Sequence, residues 1–188
     1  MKTVFWFRRD LRLEDNHGLF QALKNSNEVI PLFIFDTTII SKLTDKKDQR
    51  VNFIHQCLEN LQKEFIKVGT SLKVLIGNPS EILPNFLINN SIEQLFLNHD
   101  YEPSCIVRDK QIYDFCQTQK IRFKSFKDQV IFEKSEVTKD DKKPYTVFTP
   151  YSKKWKEHLR LSPIEHYPSH DLMANFQKTD DKKIPTLA

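Results

Sequence analysis

Four apolar residues near the start of the chain, Val4-Phe5-Trp6-Phe7, run without a polar interruption and stop at Arg8-Arg9-Asp10. A strand lacking polar alternation is buried on both faces, as in the middle of a parallel sheet covered by helices. The loop after it then lies at the edge where open α/β sheets bind ligands. Arg8, Arg9, Asp10, Arg12, Glu14 and Asp15 crowd that loop with charges of both signs. Burying them is costly unless they pair with one another or meet a charged ligand. The residues leave both readings open.

The pattern recurs down the chain. A helix is expected over residues 16–24, capped by Asp15 or Asn16. Residues 29–35 read as a second buried strand ending at Asp36, with Pro31 a misfit suited to a strand start or a bulge. After a charged loop at 45–49, residues 48–68 carry Val51, Ile54, Cys57, Leu58, Leu61 and Phe65 at helical spacing, and Gly69 supplies the stop. Residues 72–76 form a third strand. Asn78-Pro79 opens a short helix that Pro84 interrupts. A fourth strand covers 93–98, Pro103 opens a helix to about residue 120, and 121–126 form a fifth strand with one wet face, as at a sheet edge. Such alternation specifies an α/β fold, a parallel sheet with right-handed crossovers.

After residue 127 the alternation ends. Residues 140–143 look like an exposed turn, and 144–155 are rich in aromatics interleaved with Lys153 and Lys154. That stretch reads either as packing against the domain or as a stacking surface for single-stranded nucleic acid, with packing preferred. The expected division is residues 1–130 as the α/β domain, 131–162 as an aromatic extension packed on it, and 163–188 as an extended inter-domain linker. Its ending, 180–188, reads as a connection toward a second domain.

Several function classes are excluded. The chain has Gly 3, at 18, 69 and 77, so it holds neither GxGxxG nor a P-loop. HExxH and GxSxG are missing as well. Cys57, Cys105 and Cys116 lack CxxC spacing, so no metal site or disulfide framework is expected, and all three read as buried thiols. A net charge of +4 permits a nucleic-acid partner without requiring one. The opening is not a signal peptide and no stretch is long enough to span a membrane, so no membrane partner and a cytoplasmic location are expected.

What remains is a set of charges at strand ends: Arg8, Arg9 and Asp10 after the first strand, Asp36 after the second, Asp100 and Glu102 after the fourth. Arg50, at the start of the long helix, points to the same edge, and Phe33 and Phe35 can supply an aromatic wall. Together they suit a planar heteroaromatic ligand. Each also has a plainer explanation. Arg8, Asp10, Arg12 and Asp15 can pair among themselves, Asp100 and Glu102 can serve a helix start, and Arg50 can simply be solvated.

The stretch Val4 to Leu13 with Glu14-Asp15-Asn16 closely resembles the opening of the DNA photolyase and cryptochrome family. PLFIFD at 31–36, NHDYEPSCIVRD at 98–109 and PYTVFTPYSKKW at 144–155 agree in the same order. The resemblance implies a Rossmann-like α/β domain with five parallel strands in order 3-2-1-4-5, helices on both faces, and an antenna chromophore. It also implies a C-terminal helical half, missing from this sequence, that binds FAD and docks DNA carrying pyrimidine dimers. In this family the antenna passes excitation to reduced FAD, which lends an electron to the dimer. No catalytic residue of that repair falls in this chain, so the chain alone is expected to be inactive. Carried over, the antenna-binding positions are Arg9, Phe33, Asp36, Arg50, Asp100 and Glu102. Deazaflavin, flavin and methenyltetrahydrofolate all remain open as the antenna, a folate lying nearer Asp100 to Glu102. The implied partner is the chain's own helical half, and dimerisation through the exposed docking face is expected without it. Three readings follow: an antenna domain of a deoxyribodipyrimidine photolyase, the corresponding domain of a cryptochrome blue-light receptor, or a stand-alone nucleotide-binding domain. The missing glycine loop argues against the last.

Overall fold

In the computed structural model, which describes residues 1–45 and 48–179, β1 (Lys2–Phe7) takes the centre of a five-stranded sheet. It pairs in parallel with β2 (Glu28–Asp36) on one side and β4 (Gln94–Asn98) on the other. β3 (Lys73–Gly77) and β5 (Arg122–Phe126) complete the order β3-β2-β1-β4-β5, all parallel. The crossovers are α1 (His17–Asn25), the short α2 (Thr37–Ile40) with α3 (Gln49–Lys67), α4 (Pro79–Asn89), and α5 (Pro103–Thr118).

The period of two along each strand sorts the core into two chemistries. Phe5, Phe7, Phe33, Phe35 and Phe96 face one way and meet Leu19 and Leu23 of α1 and Leu58, Leu61 and Phe65 of α3. Val4, Trp6, Leu32, Ile34, Leu95 and Leu97 face the other way and meet Leu83 and Leu87 of α4 and Ile112 and Cys116 of α5. Each fully buried side chain of this size contributes about 1.5–3 kcal/mol. The central position of β1 therefore follows from its lacking any polar face.

Pro31 sits inside β2, in register with Phe5. The Val29 carbonyl accepts from the Gln177 backbone N–H (2.9 Å), on the side away from β1. Alternation turns the Pro31 nitrogen to that same side, before pairing with β3 begins at Leu32. Its missing donor therefore interrupts no ladder. Pro84 does not interrupt α4, contrary to the expected break. The helix runs through it because Leu83 and Leu87 on either side are fully buried and hold the turn in place. Cys105 and Cys116 are buried, but Cys57 is only half-buried, since the first turns of α3 stand off the core. Burial pushes the Cys116 thiol up to about 12, which makes it inert.

Beyond β5 the structure departs from expectation twice. Residues 148–161 form a helix, α6 (Phe148–Leu161), with no buried residue. Phe132 meets Trp155 and His158 edge-on, contacts that lie within residues 131–162 themselves, and Phe148 is 77% exposed. The tail is not an extended linker throughout: Ser169–Asn175 form a 3-10 helix, and Met173 and Phe176 are buried in the aromatic core. Phe176 bridges to Val29 and packs edge-on against Phe65 at 5.1 Å. Thr179 N–H donates to the Gly69 carbonyl and Thr70 Oγ1 to the Gln177 carbonyl. One short apolar patch, Leu172, Met173 and Phe176, in an otherwise largely polar tail carries too weak a signal to show this clasp in sequence. The turn at 140–143 closes through Lys142 N–H on the Lys139 carbonyl. Lys46 and Lys47 of the charged loop, and the stretch 180–188, lie outside the described residues.

Phe176→Ala would leave a cavity against Phe65 and is expected to lower stability by about 3–5 kcal/mol. Urea unfolding of the variant beside the parent chain measures this; a loss below about 1 kcal/mol means that the clasp adds little.

Candidate functional site

The loop after β1 is built on a buried polar knot. Asp10 accepts from the Arg8 backbone N–H (2.8 Å), Asn98 Nδ2 (2.6 Å) and Asn16 Nδ2 (3.3 Å). Asn16 caps α1 by accepting from Leu19 N–H (3.1 Å) and also accepts from Asn98 Nδ2 (2.8 Å). Asn98 Oδ1 in turn accepts from Gly18 N–H (2.8 Å). A Cβ on Gly18 would lie 2.4 Å from Asn98 Oδ1 and 2.9 Å from the Phe5 ring, so this close approach requires glycine. The knot ties the end of β1, the start of α1 and the end of β4 into one unit.

Arg8 extends the unit to α5. Its Nη1 donates to both oxygens of Asp109 (2.8 and 2.6 Å), and its Nη2 to the Asn98 carbonyl. Arg108 donates to Asp109 as well (2.9 Å), and both guanidiniums lie near the Trp6 ring, at 5.3 and 4.9 Å. The Arg8 side chain is only 8% exposed. Removing one partner of such a pair costs about 3–5 kcal/mol, because the other charge is left buried. The mutual pairing among Arg8, Asp10, Arg12 and Asp15 does not form between their side chains. Arg12 reaches Asp128 (2.9 Å) and the Asp15 carbonyl, and Asp15 accepts from Tyr167 N–H. Apart from the Asp15 carbonyl, these partners lie more than a hundred positions away, beyond any local pattern.

Arg9 points outward to the β4 side. It contacts Glu102 at 2.5 Å and Asp100 at 3.6 Å, and the Asp100 side chain is 5% exposed. Burial raises the Asp100 carboxyl, but the Cys105 thiol, the charges of Arg8 and Arg9 and the Glu102 N–H outweigh it, leaving a net lowering. Burial lowers the Arg9 guanidinium, and Glu102 and Asp100 more than reverse that.

The other expected site residues are held locally. Asp36 caps α2, accepting from Thr38 N–H (2.9 Å) and Oγ1 (2.6 Å). Arg50 is 76% exposed and clamps Asp48 (2.5 Å). Hydrogen bonds from the Arg50 side chain and backbone hold the Asp48 carboxyl down at about 2. Phe33 is buried, with its ring edge-on to Phe35 at 5.0 Å. The structure thus brings Arg9, Asp100 and Glu102 into contact. Asp36 and Arg50 stand along the same edge beyond β1, and Phe33 belongs to the core. Ile39, Phe53 and Ile76, on α2, α3 and β3, are exposed there and offer an apolar surface beside the polar set.

His99 does not pair with Asp100. It contacts Glu133 (2.8 Å) and Ser125 Oγ (3.0 Å), while Tyr101 donates to the same Glu133 (2.6 Å). Burial raises the Tyr101 phenol and the Glu133 carboxylate reinforces it. Asn98, Asp109, Asp128 and Glu133 were invisible as functional positions, since each is defined by a partner remote in sequence. Among the described residues, no three His, Cys, Asp or Glu are placed to hold a metal ion. No helix among them is long and apolar enough to cross a membrane.

Because the Asp100 carboxyl is lowered on folding, its contribution is present above the unfolded value of about 3.9 and is lost as pH falls through the folded value. Asp100→Asn is therefore expected to cost stability at pH 6 and to narrow the gap to the parent below pH 3. Urea midpoints across that range test the sign; a constant difference contradicts it.

A family model described as DNA photolyase matches residues 3–170. A deoxyribodipyrimidine photo-lyase of Synechococcus is 32% identical over 161 residues, covering 86% of this chain and 33% of the relative. Cryptochrome-2 of Arabidopsis thaliana is 29% identical over 163 residues, covering 86% of this chain and 26% of that protein. An archaeal photolyase from Sulfolobus tokodaii, crystallised with two FAD molecules, superposes with a TM-score of 0.74 at 29% identity, over 98% of this chain and 42% of its own. The chain therefore spans only about a quarter to two fifths of the length of these relatives.

Proposed function

The chain belongs to the DNA photolyase family, and from that membership we propose that it is the antenna-holding N-terminal domain of a light-dependent deoxyribodipyrimidine photolyase. The observation that carries the reading is the position of Arg9, Asp100 and Glu102. In the order β3-β2-β1-β4-β5 the strand order switches from one side of β1 to the other, and ligands of open α/β sheets bind at that switch point between β1 and β4. Arg9 follows β1 and Asp100 and Glu102 follow β4, so the cluster flanks it.

The residues suit a flat chromophore. A guanidinium donates to ring carbonyls and carboxylates accept from ring N–H groups, while Ile39, Phe53 and Ile76 offer apolar cover. Asp36 and Arg50 complete the rim on the β2 side once they exchange local partners for the ligand; Phe33 acts from beneath as packing. A bound antenna would absorb light and pass the excitation onward. The Sulfolobus photolyase makes a flavin the first candidate. Val147 and Phe148 at the start of α6, and Leu161 and Ile164 at and beyond its end, are exposed apolar positions suited to contact a helical FAD-binding half, which would dock the damaged DNA. In the absence of that half, the same surface favours dimerisation. The plant cryptochrome relative supports a second reading, a blue-light receptor without repair.

Incubation with FMN, deazaflavin and methenyltetrahydrofolate, followed by absorption spectroscopy after desalting, tests the site. One of the three is expected to be retained, and Asp100→Ala to weaken retention about tenfold or more. Retention unchanged in that variant removes the site. Light-dependent dimer repair by the full-length protein separates photolyase from cryptochrome.

A further inference from the structure

The loop between β1 and α1 contains one strained residue. Asp15 has a φ of 49°, a left-handed conformation that residues other than glycine adopt rarely and keep only where the surroundings impose it. The Asp10 knot pins the inner part of this loop, and the tail grips the outer part. Ser169 is fully buried; its Oγ donates to the Leu13 carbonyl (2.6 Å) and accepts from the Asn16 N–H (3.3 Å). The Tyr167 N–H donates to the Asp15 carboxylate (3.0 Å), and the Tyr167 ring lies flat on His17 at 3.9 Å. Residues 13, 15 and 16 thus each take a partner from 152 to 156 positions away, on both sides of the strained residue.

This grip reaches Arg9 through an unbroken series of hydrogen bonds. Asn16, whose N–H Ser169 accepts, turns its side-chain amide on the Asp10 carbonyl (3.3 Å), the Asp10 carboxylate (3.3 Å) and the Arg12 carbonyl (3.2 Å). Asp10 in turn accepts from the Arg8 N–H (2.8 Å), closing a turn with Arg9 inside it. The Arg9 side chain is long and half-exposed, so the place its guanidinium reaches depends on where that turn holds its backbone. A displacement of about 1 Å is enough to break a hydrogen bond there.

We propose that Ser169 is a positioning residue for Arg9: the tail segment 167–169 holds the loop in the form that presents Arg9 to Asp100 and Glu102. Its service to an antenna rests on the reading given above; the coupling of the tail to Arg9 does not.

The Asp100 carboxyl, raised by burial but lowered further by the Cys105 thiol, Arg8, Arg9 and the Glu102 N–H, reports the position of Arg9 without any ligand; Arg108 also faces it, at 4.0 Å. The test follows its titration by ¹³C NMR in the 188-residue chain. In Ser169→Ala the midpoint is expected to rise by about 0.5 pH or more, as Arg9 drifts from it. Asp15→Gly is expected to act in the same direction, since it removes the acceptor of the Tyr167 N–H at a position whose backbone suits glycine. Loss of the Asp15 charge by itself would lower the midpoint, so a rise reports the loop. Asn175→Ala is the control: it removes another tail contact, Asn175 Nδ2 to the Leu23 carbonyl (2.9 Å), and should lower stability without moving the midpoint. FMN retained by the parent chain is expected to be held about tenfold less tightly by both loop variants. Should Ser169→Ala fail to fold, Asp15→Gly decides. A midpoint unchanged in the folded loop variants, or raised as much by Asn175→Ala, overturns the proposal. If the parent retains no FMN while the midpoint moves as expected, the flavin antenna is what fails and the positioning role stands.

Discussion

Everything at the edge beyond β1 and β4 depends on Asp10 being buried beside Asn16 and Asn98. A carboxylate on the core side of a loop is tolerated only when donors are already in place, and here two side-chain amides and a backbone N–H supply them. Those donors come from three elements, so satisfying one side chain sets the relation of β1, α1 and β4. Gly18 is the corollary, since the α1 backbone must come close enough to donate to Asn98.

The same logic explains why Arg8 and Arg9, neighbours in the chain, have opposite fates. Alternation after β1 sends Arg8 inward, where it needs a bidentate partner and finds Asp109 on α5. Arg9 is sent outward, half-exposed, with Glu102 and Asp100 in reach. Surface pairs of the Lys67–Glu64 kind contribute about 0–1 kcal/mol, so they cannot organise an edge; the buried Arg8 pair can. With Arg8 fixed inward, Arg9 is held on the outer side of the loop by Glu102 and Asp100.

The tail shows a different economy of contacts. Met173 and Phe176 close the aromatic face below α1 and α3, while α6, between β5 and that clasp, stays unburied. That segment is thus anchored at both ends and exposed between them. Val147, Phe148 and Leu161 are exposed there.

Much of this was legible in residues alone. Val4 to Phe7 has no polar face, and that is enough to place β1 inside a sheet. The spacing of Leu58, Leu61 and Phe65 gave α3, and the strand-end charges gave the edge on which Arg9, Asp100 and Glu102 meet. These are local regularities, dictated by the periods of helix and strand. Pairing obeys no period. Whether Arg12 finds Asp15 or Asp128, whether Arg50 turns to a ligand or to Asp48, and whether Phe176 dangles or closes the core depend on which distant groups the fold brings within about 3 Å, the reach of a hydrogen bond. Only the tertiary structure decides that, because the free energy of burying a charge depends on its surroundings rather than on its neighbours in the chain.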